Sequence, residues 1–324
     1  MNPRFPIYIP SKGRADSCFT MKALERIGVP YRAVVEEDEA EQYIRVLGRR
    51  RVLVQPTHGR GLVVTRNWIW DHAAAFGAPR FWTMDDNIKG FYRFNRNLKT
   101  PITSGTILRV MEDWTDRYAN VPISGMNYFM FCSRKEPKIP AYYLNTRVYS
   151  NMLIRTNVAD REGRPFRNEG FYNDDTDLCL RILKDGRFCT ALFNAFLIWK
   201  VTTMTVKGGM TPHYKDEETG RKEDDGRWKM AEELRLKHPD LTTITRKWGR
   251  WQHQVDYSRF QTGGLAPKLK LAPGVEVPEG TNDYGMAFQR RNGSGRWITV
   301  PTGTREAPED GGDHDRAEAQ TTAC

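Results

Sequence analysis

The sequence has no long apolar run, no close pair of cysteines and no internal repeat, and each absence excludes a class of protein. No stretch approaches the ~20 apolar residues that a spanning helix needs, so a membrane-embedded protein is excluded. The five cysteines, Cys18, Cys132, Cys179, Cys189 and Cys324, are odd in number and far apart. They lack the Cys-x-x-Cys spacing of zinc sites and redox pairs, and reduced, buried thiols are expected. Residues Met1 to Phe5 show no basic segment leading into a long apolar core of the secretory kind, so a cytoplasmic location is expected.

Acid is also in deficit. Across 324 residues, 50 Lys and Arg face 40 Asp and Glu, a net charge of +10. From Gln261 onward there are seven basic and nine acidic residues, so the whole surplus sits on the preceding body. Such a body suits a polyanionic partner, because Lys and Arg gain affinity by displacing phosphate counterions. The last 64 residues contain ten Gly and five Pro and few large apolar side chains. They read as an extension, with disorder expected past Val300.

The first hundred residues alternate strand and helix patterns. Apolar runs at Phe5–Pro10, Tyr31–Val35, Arg51–Gln55 and Arg80–Met84 read as strands. Helical spacing separates them, around Phe19 to Ile27 and from Gly61 to Phe76. This order predicts an α/β, Rossmann-like, mainly parallel sheet with helices on both faces. Ligands of such sheets bind beyond the carboxyl ends of the strands, and polar clusters follow three of these strands: Ser11-Lys12-Gly13-Arg14, Glu36-Glu37-Asp38 and Asp85-Asp86-Asn87. Further on, helices are expected over Thr106–Tyr118, Thr176–Leu183 and Ala231–Lys237. Strands are expected at Val121–Ile123, Tyr128–Phe131, Tyr149–Ile154 and Phe193–Val201.

Several residues have the chemistry of a site. Asp85 and Asp86 can offer oxygen ligands to a divalent cation, or simply form a turn. Asp174, Asp175 and Asp177 open a helix. That exceeds what capping requires, and like charges at close range raise one another's pKa, which suits a general base; Asp175 is the candidate. Lys12, Arg14, Arg60, Arg66 and Lys207 are cations for a phosphate, and Glu37 and Asp38 are acceptors for a ribose or base edge. His213 follows a Gly-Gly turn, a loop position suited to a metal ligand. Arg246, Lys247, Trp248 and Arg250 form a basic, aromatic stretch that fits a nucleic-acid backbone or an amphipathic surface.

Taken in order, Ile7-Tyr8-Ile9-Pro10-Ser11-Lys12-Gly13-Arg14, Glu36-Glu37-Asp38, Gly59-Arg60-Gly61 with Arg66-Asn67, Asp85-Asp86-Asn87 and Asp174-Asp175-Thr176-Asp177-Leu178 resemble a GT-A glycosyltransferase. The Ile-Pro-Ser-Lys-Gly-Arg start and the Trp-Thr-Met-Asp-Asp-Asn segment resemble the phage and bacterial TET-associated glycosyltransferases. That resemblance implies a GT-A domain over residues 1–260, with a nucleotide-sugar half (1–100) and an acceptor half (101–260), followed by the 261–324 extension. It implies a UDP-sugar donor, a divalent metal (Mn²⁺ or Mg²⁺), a DNA acceptor carrying 5-hydroxymethylcytosine, association with a TET-like dioxygenase, and no membrane. Pro10, Lys12, Arg14, Glu37, Asp38 and Arg66 would contact uridine and phosphates, with Lys207 beside them. Asp85 would meet the ribose, Asp86 and His213 the metal, and Asp175 would be the base. One departure stands out: the family's Asp-any-Asp motif has Asn87 in its third position, so Asp86 supplies the metal oxygen or the site is weaker for Mn²⁺. The rival readings are a protein or cell-envelope O-glycosyltransferase, a nucleotidyltransferase of similar fold, and a non-catalytic DNA-binding module.

Overall fold

The computed structural model describes residues 1–95, 97–133, 139–202, 205–211, 225–262, 266–276, 289–291, 294 and 297–299. The first half runs β1 (Ile7–Pro10), α1 (Phe19–Arg26), β2 (Arg32–Val35), α2 (Ala40–Leu47), β3 (Val52–Val54), α3 (Leu62–Ala75) and β4 (Arg80–Met84). A hairpin of β5 (Ile88–Asn95) and β6 (Leu98–Pro101) follows, then α4 (Thr106–Asp116), β7 (Ile123–Tyr128), β8 (Tyr142–Leu144), β9 (Asn151–Arg155), α5 (Asp174–Lys184) and β10 (Thr190–Lys200). The chain continues through α6 (Gly226–Lys237) into a second hairpin, β11 (Thr242–Lys247) and β12 (Arg250–Val255).

One large sheet has the order β3-β2-β1-β4-β9-β7-β10-β5-β6, with β8 on β10. Pairing is parallel from β3 to β4 and between β7 and β10; β9, β5, β6 and β8 pair antiparallel. Strand order reverses beside β1, and this opens a crevice at the carboxyl ends of β1 and β4. This is the α/β architecture of a GT-A fold.

Side-chain alternation divides the core into two layers. From β1, Ile7 and Ile9 join Met21, Leu24, Tyr43, Leu108 and Met111 on the face of α1, α2 and α4. Tyr8, between them, joins Ile69, Trp70 and Ala73 of α3 and Leu178 and Ile182 of α5 on the other face. The same split recurs in β4, where Trp82 and Met84 face one layer and Phe81 the other. With both faces covered, the rim where the strands end is open to a ligand.

Two differences from the expected elements have physical causes. The strands expected at Val121–Ile123 and Tyr128–Phe131 are one strand, β7, which runs through Ser124, Gly125 and Asn127. Those polar positions are satisfied in the core: Ser124 Oγ meets Thr115 Oγ1 at 2.8 Å, and Asn127 Nδ2 donates to Asn194 Oδ1 at 2.9 Å. Residues 266–276, assigned by sequence to the extension, return to the body. The Ala119 amide donates to the Lys270 carbonyl at 2.8 Å and Leu269 packs on the core. Cys18, Cys132, Cys179 and Cys189 are buried free thiols.

At Gly125, β7 passes close to the first residue of β9 and to the segment before it. A Cβ there would lie 2.2 Å from the Asn151 carbonyl oxygen and 2.5 Å from Val148 Cγ1. Gly125→Ala is therefore expected to lower unfolding free energy by about 2 kcal/mol in urea titration. A variant as stable as the parent would contradict this packing.

Candidate active site

A cleft of about 580 Å³ opens at the carboxyl ends of β1, β2, β3 and β4, lined there by Pro10 and Ser11, Glu36, Gln55, and Asp85 to Asn87. Tyr128, Ser150 and Lys200 line it from the second half of the sheet, and Asn173 to Thr176 from the start of α5. That volume is in the range of roughly 300–1,000 Å³ typical of small-molecule sites. Asp85 and Asp175, 90 positions apart in the chain, thus meet in one cleft.

Arg66 joins them. It lies on the buried side of α3, and its Nη1 donates to both oxygens of Asp174 at 2.7 Å while Nη2 donates to Asp85 Oδ1 at 2.9 Å. Lys200, the last residue of β10, donates to Asp85 Oδ2 at 2.6 Å, Ser150 Oγ at 2.7 Å and Tyr128 Oη at 3.3 Å. Burial pushes the Asp85 carboxyl up, but Lys200 and Arg66 overcome this and hold it at about 2. Asp175 responds in the opposite direction. Burial, with the Asp174 and Asp85 charges beside it, raises its pKa against the opposing effect of Arg66, while its Oδ1 accepts from the Thr176 amide at 2.7 Å. Asp177, by contrast, is structural, accepting from Arg181 Nε at 2.9 Å and sitting 3.0 Å from His238 Nε2.

The loop after β1 is closed by the late loop. Arg14 donates from Nε to the Lys207 carbonyl at 3.3 Å and from Nη2 to the Gly208 carbonyl at 3.2 Å, and the Gly209 amide donates to the Lys12 carbonyl at 2.8 Å. Gly208 has φ 85, and a Cβ on it would lie 2.4 Å from the Gly13 carbonyl oxygen, so the approach of these loops requires glycine. Arg14 also pairs with Asp86, which accepts from Ser11 Oγ at 2.7 Å.

Of the residues expected in the site, Pro10, Lys12, Arg14, Arg66, Asp85, Asp86 and Asp175 line this cleft. Glu37 and Asp38 do not: β2 ends at Val35, so Glu36 points inward, and Glu37 and Asp38 lie on the exposed turn that follows. Glu36 accepts from Lys12 Nζ at 2.6 Å and from the Gly59 amide at 3.1 Å. Lys207 presents its carbonyl to Arg14, and its side chain is exposed. His213 lies outside the described residues. Arg246, Lys247, Trp248 and Arg250 lie away from the cleft at the β11–β12 turn. Tyr142 packs against Trp114 and Phe193, and Phe129 against Tyr92. Sequence reasoning missed Lys200, Arg147 and His253. Burial, with Arg147 adding to it, drives the His253 imidazole down to about 3, so it faces the cleft neutral.

A divalent ion shared by Asp85 and Asp86 would sit beside Lys200, Arg66 and Arg14, cations already bonded to the same carboxylates. Among the described residues no third carboxylate or imidazole completes a set there; the one set close enough is Glu36, Asp38 and His58, with ligand atoms within 4.8 Å of one another. In that set Glu36 is already tied to Lys12 and Gly59. The described residues after β4 therefore do not fit a bound divalent ion.

A Rossmann-like sheet with a cationic loop after its first strand, a held acid pair after its fourth and a raised carboxyl opposite suits an enzyme acting on a phosphate-bearing ligand. Residues 5–209 match the TET-Associated Glycosyltransferase family model, well over half of the chain, and the chain belongs to that family. It is accordingly a glycosyltransferase, and membership implies a nucleotide-sugar donor. Curated proteins give no match. No helix among the described residues is long and apolar enough to cross a membrane.

Removing the guanidinium that bridges Asp85 and Asp174 would leave buried carboxylates facing one another. Arg66→Met is expected to cost about 3–5 kcal/mol of stability, measured by urea unfolding. A loss under about 1 kcal/mol, the scale of an exposed pair, would show that the bridge is not formed.

Proposed function

We propose that the chain transfers a sugar from a UDP-sugar to the hydroxyl of 5-hydroxymethylcytosine in DNA. The observation that carries this reading is Asp175, a carboxyl raised by burial and neighbouring acids, in the same cleft as Lys12 and Arg14. The acceptor class rests on membership of a TET-associated family, because TET-type oxidation produces the hydroxymethyl group, and on the basic surplus of the body.

The chemistry follows from charge. As the acceptor oxygen bonds to the anomeric carbon, the bond from that carbon to the diphosphate breaks and negative charge grows on the departing oxygen. Cations pre-placed in a cleft stabilise such charge as it forms. In this reading Lys12 and Arg14, on the loop after β1, bind the diphosphate. Lys200 and Arg66 act through Asp85, keeping it ionised as an acceptor for the ribose hydroxyls. The acceptor hydroxyl loses its proton to Asp175, whose raised pKa makes it a stronger base than an ordinary carboxylate. Glu36, from its position after β2, takes the uridine-side role that sequence assigned to Glu37 and Asp38. The expected ion at Asp86 has no part in these steps, because Arg14 and Ser11 already engage that carboxylate.

Incubating the protein with UDP-sugars and 5-hydroxymethylcytosine DNA, then digesting to nucleosides for mass spectrometry, is expected to show a hexose mass on the modified nucleoside. Hydrolysis of the donor with no gain on DNA would assign the enzyme to another acceptor. UDP affinity by calorimetry is expected to be equal with Mn²⁺ and with EDTA, and a loss in EDTA would place an ion in the cleft.

Asp175→Asn is expected to lower turnover by about 10²–10⁴-fold while UDP still binds. Only ionised Asp175 can accept a proton, so kcat/KM should fall as pH drops through its pKa. The midpoint of that fall is expected above the ordinary aspartate value of about 4. A midpoint at or below it would remove Asp175 as the base.

A further inference from the structure

The β11–β12 hairpin lies beyond the family-matched residues and carries two features that nothing else in the site uses. Its turn is Trp248-Gly249, and both residues are left-handed, with φ of 51° and 74°. Two successive left-handed residues make a type I′ turn, whose first position normally takes Asn, Asp or Gly. A tryptophan there forces its Cβ against its own backbone, and the indole is 66% exposed. The chain thus holds a strained backbone and a solvated aromatic at the same residue.

The hairpin's own charges are of one sign. Arg246, Lys247 and Arg250 flank the turn, and no Asp or Glu occurs from Thr242 to Val255. The base of the hairpin is fixed to the active site. His253 of β12 and Met230 of α6 line the cleft, Trp228 meets Trp251 edge-on at 5.0 Å, and Asn173, beside the catalytic helix, donates to the Met230 carbonyl at 2.9 Å. Three residues of extended strand and the turn glycine Gly249 separate His253 from Trp248, a reach of roughly 13 Å.

A hydroxymethyl group on a stacked base cannot reach a carboxylate on the floor of a cleft, so a duplex acceptor must release that base. Resting on the DNA reading above, we propose that this hairpin is a duplex-opening wedge. Its cations seat on backbone phosphates, and the Trp248 indole enters the base stack and fills the gap left as the modified cytosine swings into the cleft. The positive charge, an exposed aromatic and the fixed distance from the cleft all suit double-stranded DNA. An acidic protein would satisfy the charge and leave the indole unused.

The test uses the full chain and a short duplex with 2-aminopurine beside 5-hydroxymethylcytosine. Binding of the unaltered protein is expected to raise 2-aminopurine fluorescence as stacking is lost. Trp248→Asn keeps the turn, since Asn suits its first position, but is expected to abolish that rise. With UDP-glucose as donor, the ratio of kcat/KM on duplex to that on the same single strand is expected to fall about tenfold, the scale of one lost base–aromatic stack. Trp248→Phe should restore most of both. A rise retained in Trp248→Asn, or an unchanged ratio, would overturn the wedge. Should the unaltered protein glycosylate neither DNA, the acceptor reading fails, and the fluorescence still decides the role of the hairpin: no rise on the duplex overturns it.

Discussion

The site depends on one guanidinium. Arg66 reaches from the buried side of α3 to Asp85 after β4 and to Asp174 at the start of α5, and so ties the first half of the chain to the second. Both acids are largely withdrawn from water, and buried carboxylates are tolerated only when paired and hydrogen-bonded. The fold supplies that pairing because the strand order reverses beside β1 and the second half of the sheet brings α5 to the same edge. Without this bridge, the two halves would present like charges to one another.

The same bridge separates the acids by proton affinity. Asp85, held between Arg66 and Lys200, stays ionised far below the ordinary carboxylate range. Asp175 has acids for neighbours and receives less of the Arg66 charge, so its proton is held more tightly. Opposite shifts in neighbouring carboxyls are how one cleft provides both a fixed acceptor and a base. Arg14 is paired with Asp86, the carboxylate to which the Asp-any-Asp expectation gave a metal. Asn87 departs from that motif in the same direction, being neutral and bonded through Nδ2 to the Val201 carbonyl at 2.8 Å.

Much of this was legible in the sequence, for identifiable reasons. Strands β1, β2 and β4 are short apolar runs closed by polar clusters, and β4 falls exactly where its run lies because all five of its residues are buried. Asp85 and Asp86 follow a strand end on the ligand-binding rim and Asp175 opens a helix; the family resemblance was what joined them in one expected site. Other parts were hidden. Lys200 ends an apolar strand, and nothing local separates a cleft lysine from a solvated one. Glu36 differs from Glu37 only by one residue of register, which a sequence does not fix. The β11–β12 hairpin lacks a conventional turn signal because Trp stands where Asn would, and the β5–β6 hairpin has its polar residues on the exposed face of a mixed run. These misses fall where tertiary partners outweigh local propensity.

The most direct measurement is a crystal structure of the protein with UDP and an oligonucleotide carrying 5-hydroxymethylcytosine. The account predicts the diphosphate against Lys12 and Arg14 at the ends of β1 and β4. It also predicts an Asp175 oxygen within about 3 Å of the hydroxymethyl oxygen. UDP bound elsewhere, or Asp175 turned away from the extruded base, would contradict it.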